Sequence, residues 1–117
     1  CHAGVATAEQ AGPPSLDTCL ECHQEAITEN PEEHKIQGYA SSGEQIPWVR
    51  LTHKPDHVFF SHRRHVAVGQ IACATCHGPM EMQTTPPGRA LKTLKMSDCI
   101  DCHHESGASL DCNACHR

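Results

Sequence analysis

Four segments of the 117-residue chain repeat one pattern, Cys-x-x-Cys-His. They are Cys19-Leu20-Glu21-Cys22-His23, Cys73-Ala74-Thr75-Cys76-His77, Cys99-Ile100-Asp101-Cys102-His103 and Cys112-Asn113-Ala114-Cys115-His116. Residues three and four apart share one face of a helical turn. Two thiols three positions apart can therefore reach two carbons on one porphyrin edge. The histidine one position further on then lies beneath the iron and offers an axial nitrogen, which is the chemistry of c-type haem attachment. Paired cysteines also build Cys₄ zinc sites, dithiol redox centres and plain disulfides. None of these needs a histidine after every second cysteine. With 11 histidines among 117 residues, four such placements by chance have a probability of about 10⁻⁴. The sequence thus assigns Cys19, Cys22, Cys73, Cys76, Cys99, Cys102, Cys112 and Cys115 to haem c attachment at four sites, and His23, His77, His103 and His116 to iron.

Seven more histidines remain: His2, His34, His53, His57, His62, His65 and His104. A lone histidine is ordinarily a surface residue. Here the surplus has a use as sixth ligands on the far faces of the irons, with His62 and His65 the leading pair. Cys1 is the ninth cysteine and stands outside the four complete motifs.

The elements that must position these groups are short. The chain has the length of one domain, and we read 1–117 as a single multihaem domain. Its aromatic residues are two Phe, one Tyr and one Trp, and its mean hydropathy is negative. The chain lacks the side chains of an ordinary core, so flat apolar macrocycles must supply the interior. Gly12-Pro13-Pro14 breaks the polar N-terminal stretch. Residues 24–47 read as a short helix and then loop. Residues 48–60 are the most apolar part and read as a short extended stretch, interrupted at Pro55. Residues 78–90, with Pro79, Pro86-Pro87 and Gly88, read as loop, and 91–103 as a short helix leading into the third motif. The expected fold class is small, loop-rich and mainly short α-helices, organised around covalently bound haems.

Phe60-Ser61-His62-Arg63-Arg64-His65 followed by the motif ending at His77 resembles the class III cytochromes c, the small trihaem and tetrahaem cytochromes. That resemblance implies that His62 serves the haem on Cys73/Cys76, opposite His77, and that His65 serves the haem on Cys99/Cys102, opposite His103. In the family the last haem of the trihaem module takes a histidine just before the penultimate motif. Here no histidine lies between His77 and Cys99. Met96 stands near the expected place and is a candidate ligand opposite His116, with Met80 and Met82 behind it and His53 as the main rival. A methionine so placed is as often a gap-filler. As a ligand it would raise the potential of its haem.

A wider set of segments is similar to the pentahaem cytochrome subunit of alternative complex III, a quinol-oxidising membrane complex. These are Thr18 to His23, Ile46-Pro47-Trp48-Val49-Arg50, Pro55-Asp56-His57-Val58-Phe59-Phe60-Ser61-His62, Cys76-His77-Gly78-Pro79 and Asp111 to Arg117. In that family a further motif precedes the Thr-Cys motif by about seventeen residues, and Cys1-His2 falls at that place. The resemblance therefore implies a fifth haem at Cys1 and His2, in a chain that is the C-terminal part of a longer pentahaem protein. The haem on Cys19/Cys22 would then take its ligand from the upstream part, or else from His34, His53, His57 or His104. The competing readings of Cys1 are a lipidated mature N-terminus and a free thiol. This chain departs from the family in the loop after His77, in His104 following His103, and in the short gap before Cys112.

Six-coordinate haems in close succession imply electron transfer. Partners implied by the resemblance are an iron–sulfur subunit or a quinol-oxidising membrane complex on one side and a small cytochrome c or an oxidase on the other. The chain would associate with the membrane through partners or an anchor lost from its N-terminus. A multihaem reductase would need an iron with an open position, and no motif reads Cys-x-x-Cys-Lys. Self-association into a conductive filament is the third reading. A net charge of −5 without a basic block gives nucleic acid binding no support. No run approaches the roughly 18 apolar residues of a membrane span, and no charged-then-apolar leader is present. Because haem is joined to reduced cysteine outside the cytoplasmic membrane, the expected place is a bacterial periplasm or cell surface.

Overall fold

Side-chain hydrogen bonds mark the start of four of the five α-helices, and the third in chain order begins without one. In the computed structural model, which describes residues 2–116, five short α-helices follow one another. They are α1 (Leu16–Leu20), α2 (Pro31–Ser42), α3 (Cys73–His77), α4 (Met96–Ser106) and α5 (Cys112–Cys115). Ser15 Oγ caps α1 by accepting from the Thr18 amide. Asn30 Oδ1 caps α2 by accepting from the Glu32 amide at 3.0 Å, with Pro31 in the first turn. Asp98 accepts the Lys95 amide at 2.7 Å at the start of α4, and Asp111 accepts the Asn113 amide at 3.0 Å at the start of α5. Such caps satisfy amides that have no partner within the helix. Gly43 and Gly107 end α2 and α4 in the left-handed conformation, as helix C-termini favour.

Two expectations need correction. Within 24–47 the helix does not come first: turns occupy 24–30, and Asn30-Pro31, which reads as a breaker, is instead the start of α2. Asparagine before proline is also an N-terminal signature, and it wins here because a helix follows. The apolar stretch 48–60 does not form a strand. Its one ladder contact is an isolated antiparallel bridge between Val58 and His116. Pro55 precludes pairing through the middle, and the described residues contain no sheet for the stretch to join.

The segment between Ser61 and Gly69 is a turn of π-helix, Arg63–Val68. It closes with the Gly69 amide donating to the Arg64 carbonyl at 2.9 Å, and the Ile71 amide reaches the His65 carbonyl at 3.0 Å. A Cβ on Gly69 would fall 2.8 Å from that same His65 carbonyl oxygen, so the turn requires a residue without one. The N-terminal 3₁₀ turn, Ala3–Ala6, lies against this segment. The His62 amide donates to Glu9 O at 2.9 Å and the Arg63 amide to Ala8 O at 3.1 Å.

Almost nothing in the polypeptide is buried. Among the described residues the buried ones are Leu16, 8% exposed, and Ser61, 5% exposed. The radius of gyration is 17.1 Å, in a body of 50 × 25 × 23 Å. A globular chain of this length would have about 13 Å. The accessible surface is 9111 Å², whereas a folded monomer of 12.8 kDa exposes about 6,300 Å². The polypeptide is therefore a scaffold with room inside it for apolar groups that are not side chains. No helix among the described residues is long and apolar enough to cross a membrane.

Candidate haem sites

Each motif sits on one helical turn. The His23 amide donates to the Cys19 carbonyl at 2.9 Å, and the His116 amide to the Cys112 carbonyl at 2.8 Å. α3 is the second motif and nothing else, and the third lies wholly inside α4. This backbone pattern puts both sulfurs of a motif on one face with the imidazole beside them. All eight motif cysteines are free thiols, exposed or half-buried. No three Cys, His, Asp or Glu side chains converge as a metal-ion site among the described residues. Burial, helped by the neighbouring cysteines, pushes the Cys76 thiol up against the opposing charge of Lys92. Burial and then Asp98 push the Cys99 thiol up, with Cys115 contributing.

Three motif histidines face another histidine ring. His62 and His77 stack with centroids 6.3 Å apart and planes 8° from parallel. His65 and His103 lie 6.0 Å apart at 34°, and His57 and His116 lie 5.5 Å apart at 22°. Imidazoles in van der Waals contact would stack closer. Two metal–nitrogen bonds of about 2 Å each on opposite sides of one ion, plus the half-width of each ring, place the centroids roughly 6 Å apart. The spacing therefore fits one iron between each pair of rings.

The other ring nitrogen is also informative. His65 Nδ1 donates to Ser61 O at 2.8 Å, His62 Nδ1 to Glu9 O at 3.1 Å and His103 Nδ1 to Ser109 O at 2.7 Å. A carbonyl can only accept, so each ring carries its proton on Nδ1 and keeps a lone pair on Nε2. That is how a metal-ligating histidine is held. His2 shows the same arrangement, with Nδ1 donating to Gly12 O at 2.8 Å. His53 shows the reverse, because its Nε2 faces the Arg50 carbonyl at 2.8 Å. Burial, then the charges of His62 and His2, hold His77 below the usual histidine range, which favours the neutral, ligating ring.

Phe60 enters the sequence reading only as part of longer segments and not as a site residue, yet it positions two such residues. Its ring stacks on His65 at 4.4 Å and meets His62 edge-on at 4.9 Å. The buried Ser61 accepts from His65 twice through its carbonyl, and its hydroxyl accepts the Arg64 amide at 3.4 Å. An aromatic beside two histidines three apart was the available signal. The remaining expected ligands stand elsewhere. His34 and His104 are exposed and belong to no stacked ring pair among the described residues. Met80, Met82 and Met96 are exposed, Met96 at 63% on the first residue of α4. His23 is half-buried on the α1–α2 side, with Gln37 Nε2 donating to its carbonyl at 2.9 Å and its own Nδ1 buried without a hydrogen-bond partner. Cys1 lies outside the described residues.

Eight cysteines paired on helical turns, with imidazoles paired at one-metal spacing, define a multihaem cytochrome c. Residues 58–117 match the family described as cytochrome c7 and related cytochrome c, and the chain belongs to that family. Over 136 aligned positions, 98% of this chain, it is 30% identical to the menaquinone reductase multihaem cytochrome c subunit of Nitratidesulfovibrio vulgaris. The chain spans 65% of the length of that relative.

Proposed function

We propose that this chain is the electron-relay subunit of a quinone-linked oxidoreductase on the outer face of a bacterial membrane. The reading rests on two-sided ligation. His62 with His77, and His65 with His103, are spaced to fill both axial positions of an iron. Such irons leave no vacant position for a substrate, so these haems carry electrons. Haem c held in this way supplies a one-electron iron couple. The residues do the rest. The cysteines fix each macrocycle edge, the backbone carbonyls orient the imidazoles through Nδ1, and Phe60 keeps water from the rings of His62 and His65.

The relative named above is a subunit of a menaquinone reductase, and the segments from Thr18 to Arg117 resemble the pentahaem subunit of alternative complex III. Both are quinone-linked assemblies, and they differ in the direction of electron flow. Partners of either kind are a quinone-reacting or iron–sulfur subunit and a soluble cytochrome or oxidase. The Nδ1 bond of His2 supports a fifth haem on Cys1 and His2. A filament can exchange histidines between copies, and an odd ligand count within one chain would favour it.

The detergent-solubilised native assembly tests this. A menaquinol analogue should reduce its cytochrome bands, or menaquinone should reoxidise the reduced bands, according to direction. Carbon monoxide should leave most of the reduced spectrum unchanged. A chain that purifies alone, exchanges no electrons with either quinone form and binds carbon monoxide at most of its haems would refute the proposal.

A further inference from the structure

We infer that His57 is the sixth ligand of the haem on Cys112/Cys115, opposite His116, in the position that neither Met96 nor His53 fills. This rests on the haem reading above and deepens it at one site. The sequence lacks any histidine between His77 and Cys99, where a ligand for this iron would ordinarily be sought. Three observations place His57 there. Its ring lies 5.5 Å from that of His116, centroid to centroid, with planes 22° apart, close to the geometry of the other two pairs. Next, the backbone binds the two segments together: Val58 bridges His116, and the Phe59 amide donates to the Cys115 carbonyl at 2.7 Å. The residues adjoining His57 thus grip the residues of the last motif. Finally, the rivals are set up differently. The Nε2 of His53 is taken by the Arg50 carbonyl at 2.8 Å, and Met96 opens α4, whereas the segment that carries His57 is bonded to the last motif.

The consequence is that one nine-residue segment, His57 to His65, supplies the second ligand to all three C-terminal haems. The last haem is then a bis-histidine haem like its neighbours. A methionine ligand would have raised its potential, and a histidine removes that step.

The test uses the complete holoprotein and reads ligation state, not activity. His57→Ala should leave the haem count by mass unchanged and turn one haem high-spin. Added imidazole should restore the low-spin signal. His57→Met, which keeps a sixth ligand, should add the charge-transfer band of a methionine–iron bond and raise one potential. Met96→Leu and His53→Asn, both at exposed positions, should leave spectrum and potentials as they are. The inference is overturned if both His57 variants keep the wild-type spectrum, or if Met96→Leu or His53→Asn is the variant that loses a ligand. A wild-type protein without haem by mass would instead overturn the haem reading on which this one rests.

Discussion

His62 and His65 each donate Nδ1–H to a backbone carbonyl, and Phe60 packs against both rings. Two imidazoles therefore depend on one aromatic side chain. Phe60→Ala should lower stability by about 2 kcal/mol, less than the 3–5 kcal/mol of a fully buried phenylalanine because Phe60 is half-buried. It should also loosen two haems together. Thermal unfolding followed in the Soret band, with the high-spin fraction, would check this, and a change at one haem alone would contradict it. His77 gives a prediction about pH. Burial, then nearby His62 and His2, favour its neutral form. A depressed folded value means that its contribution is present above the unfolded value of about 6.5 and is lost as pH falls below it. The low-spin state of the haem on Cys73/Cys76 should hold through neutral pH and fail only in acid. An acid titration by electron paramagnetic resonance would show it, and ligand loss above neutrality would contradict it.

At the scale of elements, the four motifs were legible because their chemistry is written in local spacing. The caps of α5 and α1 are local too. The partner of His116 was not legible, since it stands 59 positions earlier and is brought there by the bridge at Val58, a tertiary contact without a periodic signal. The π turn was hidden for a related reason. Its sequence carries no mark of the extra residue per turn, and the bond from the Gly69 amide to the carbonyl of Arg64, five residues back, reveals it. Such turns are frequent at functional sites. Gly69→Ala would force the turn apart and shift His65, at a cost of about 1–3 kcal/mol. Its spectral effect should appear at the haem on Cys99/Cys102. Gly78 ends α3 with φ +72° and ψ −175°, a region almost closed to other residues. Gly78→Ala should cost about 1–3 kcal/mol, with its added Cβ 3.2 Å from that of Leu91. Denaturant unfolding of the two variants checks both figures, and wild-type midpoints would contradict them.

For the whole molecule, the polypeptide alone has too little interior to stay folded. Its surface exceeds that of a globular chain of the same mass by roughly 2,800 Å², and among the described residues the buried side chains are Leu16 and Ser61. Apolar burial at about 25 cal/mol per Å² has to come from the macrocycles. The chain without haem should accordingly show no cooperative melt by circular dichroism. The composition made this legible, since few aromatic residues and many cysteines and histidines left no other core. The elongated shape did not follow from composition, because it depends on how the four motifs are arranged in space. The most direct measurement is the intact mass of the denatured holoprotein, since thioether-bound haem survives denaturation. The account predicts the polypeptide plus four covalent haem increments, and a fifth if Cys1 and His2 close another motif. The bare polypeptide mass, or zinc recovered in place of iron, would contradict it.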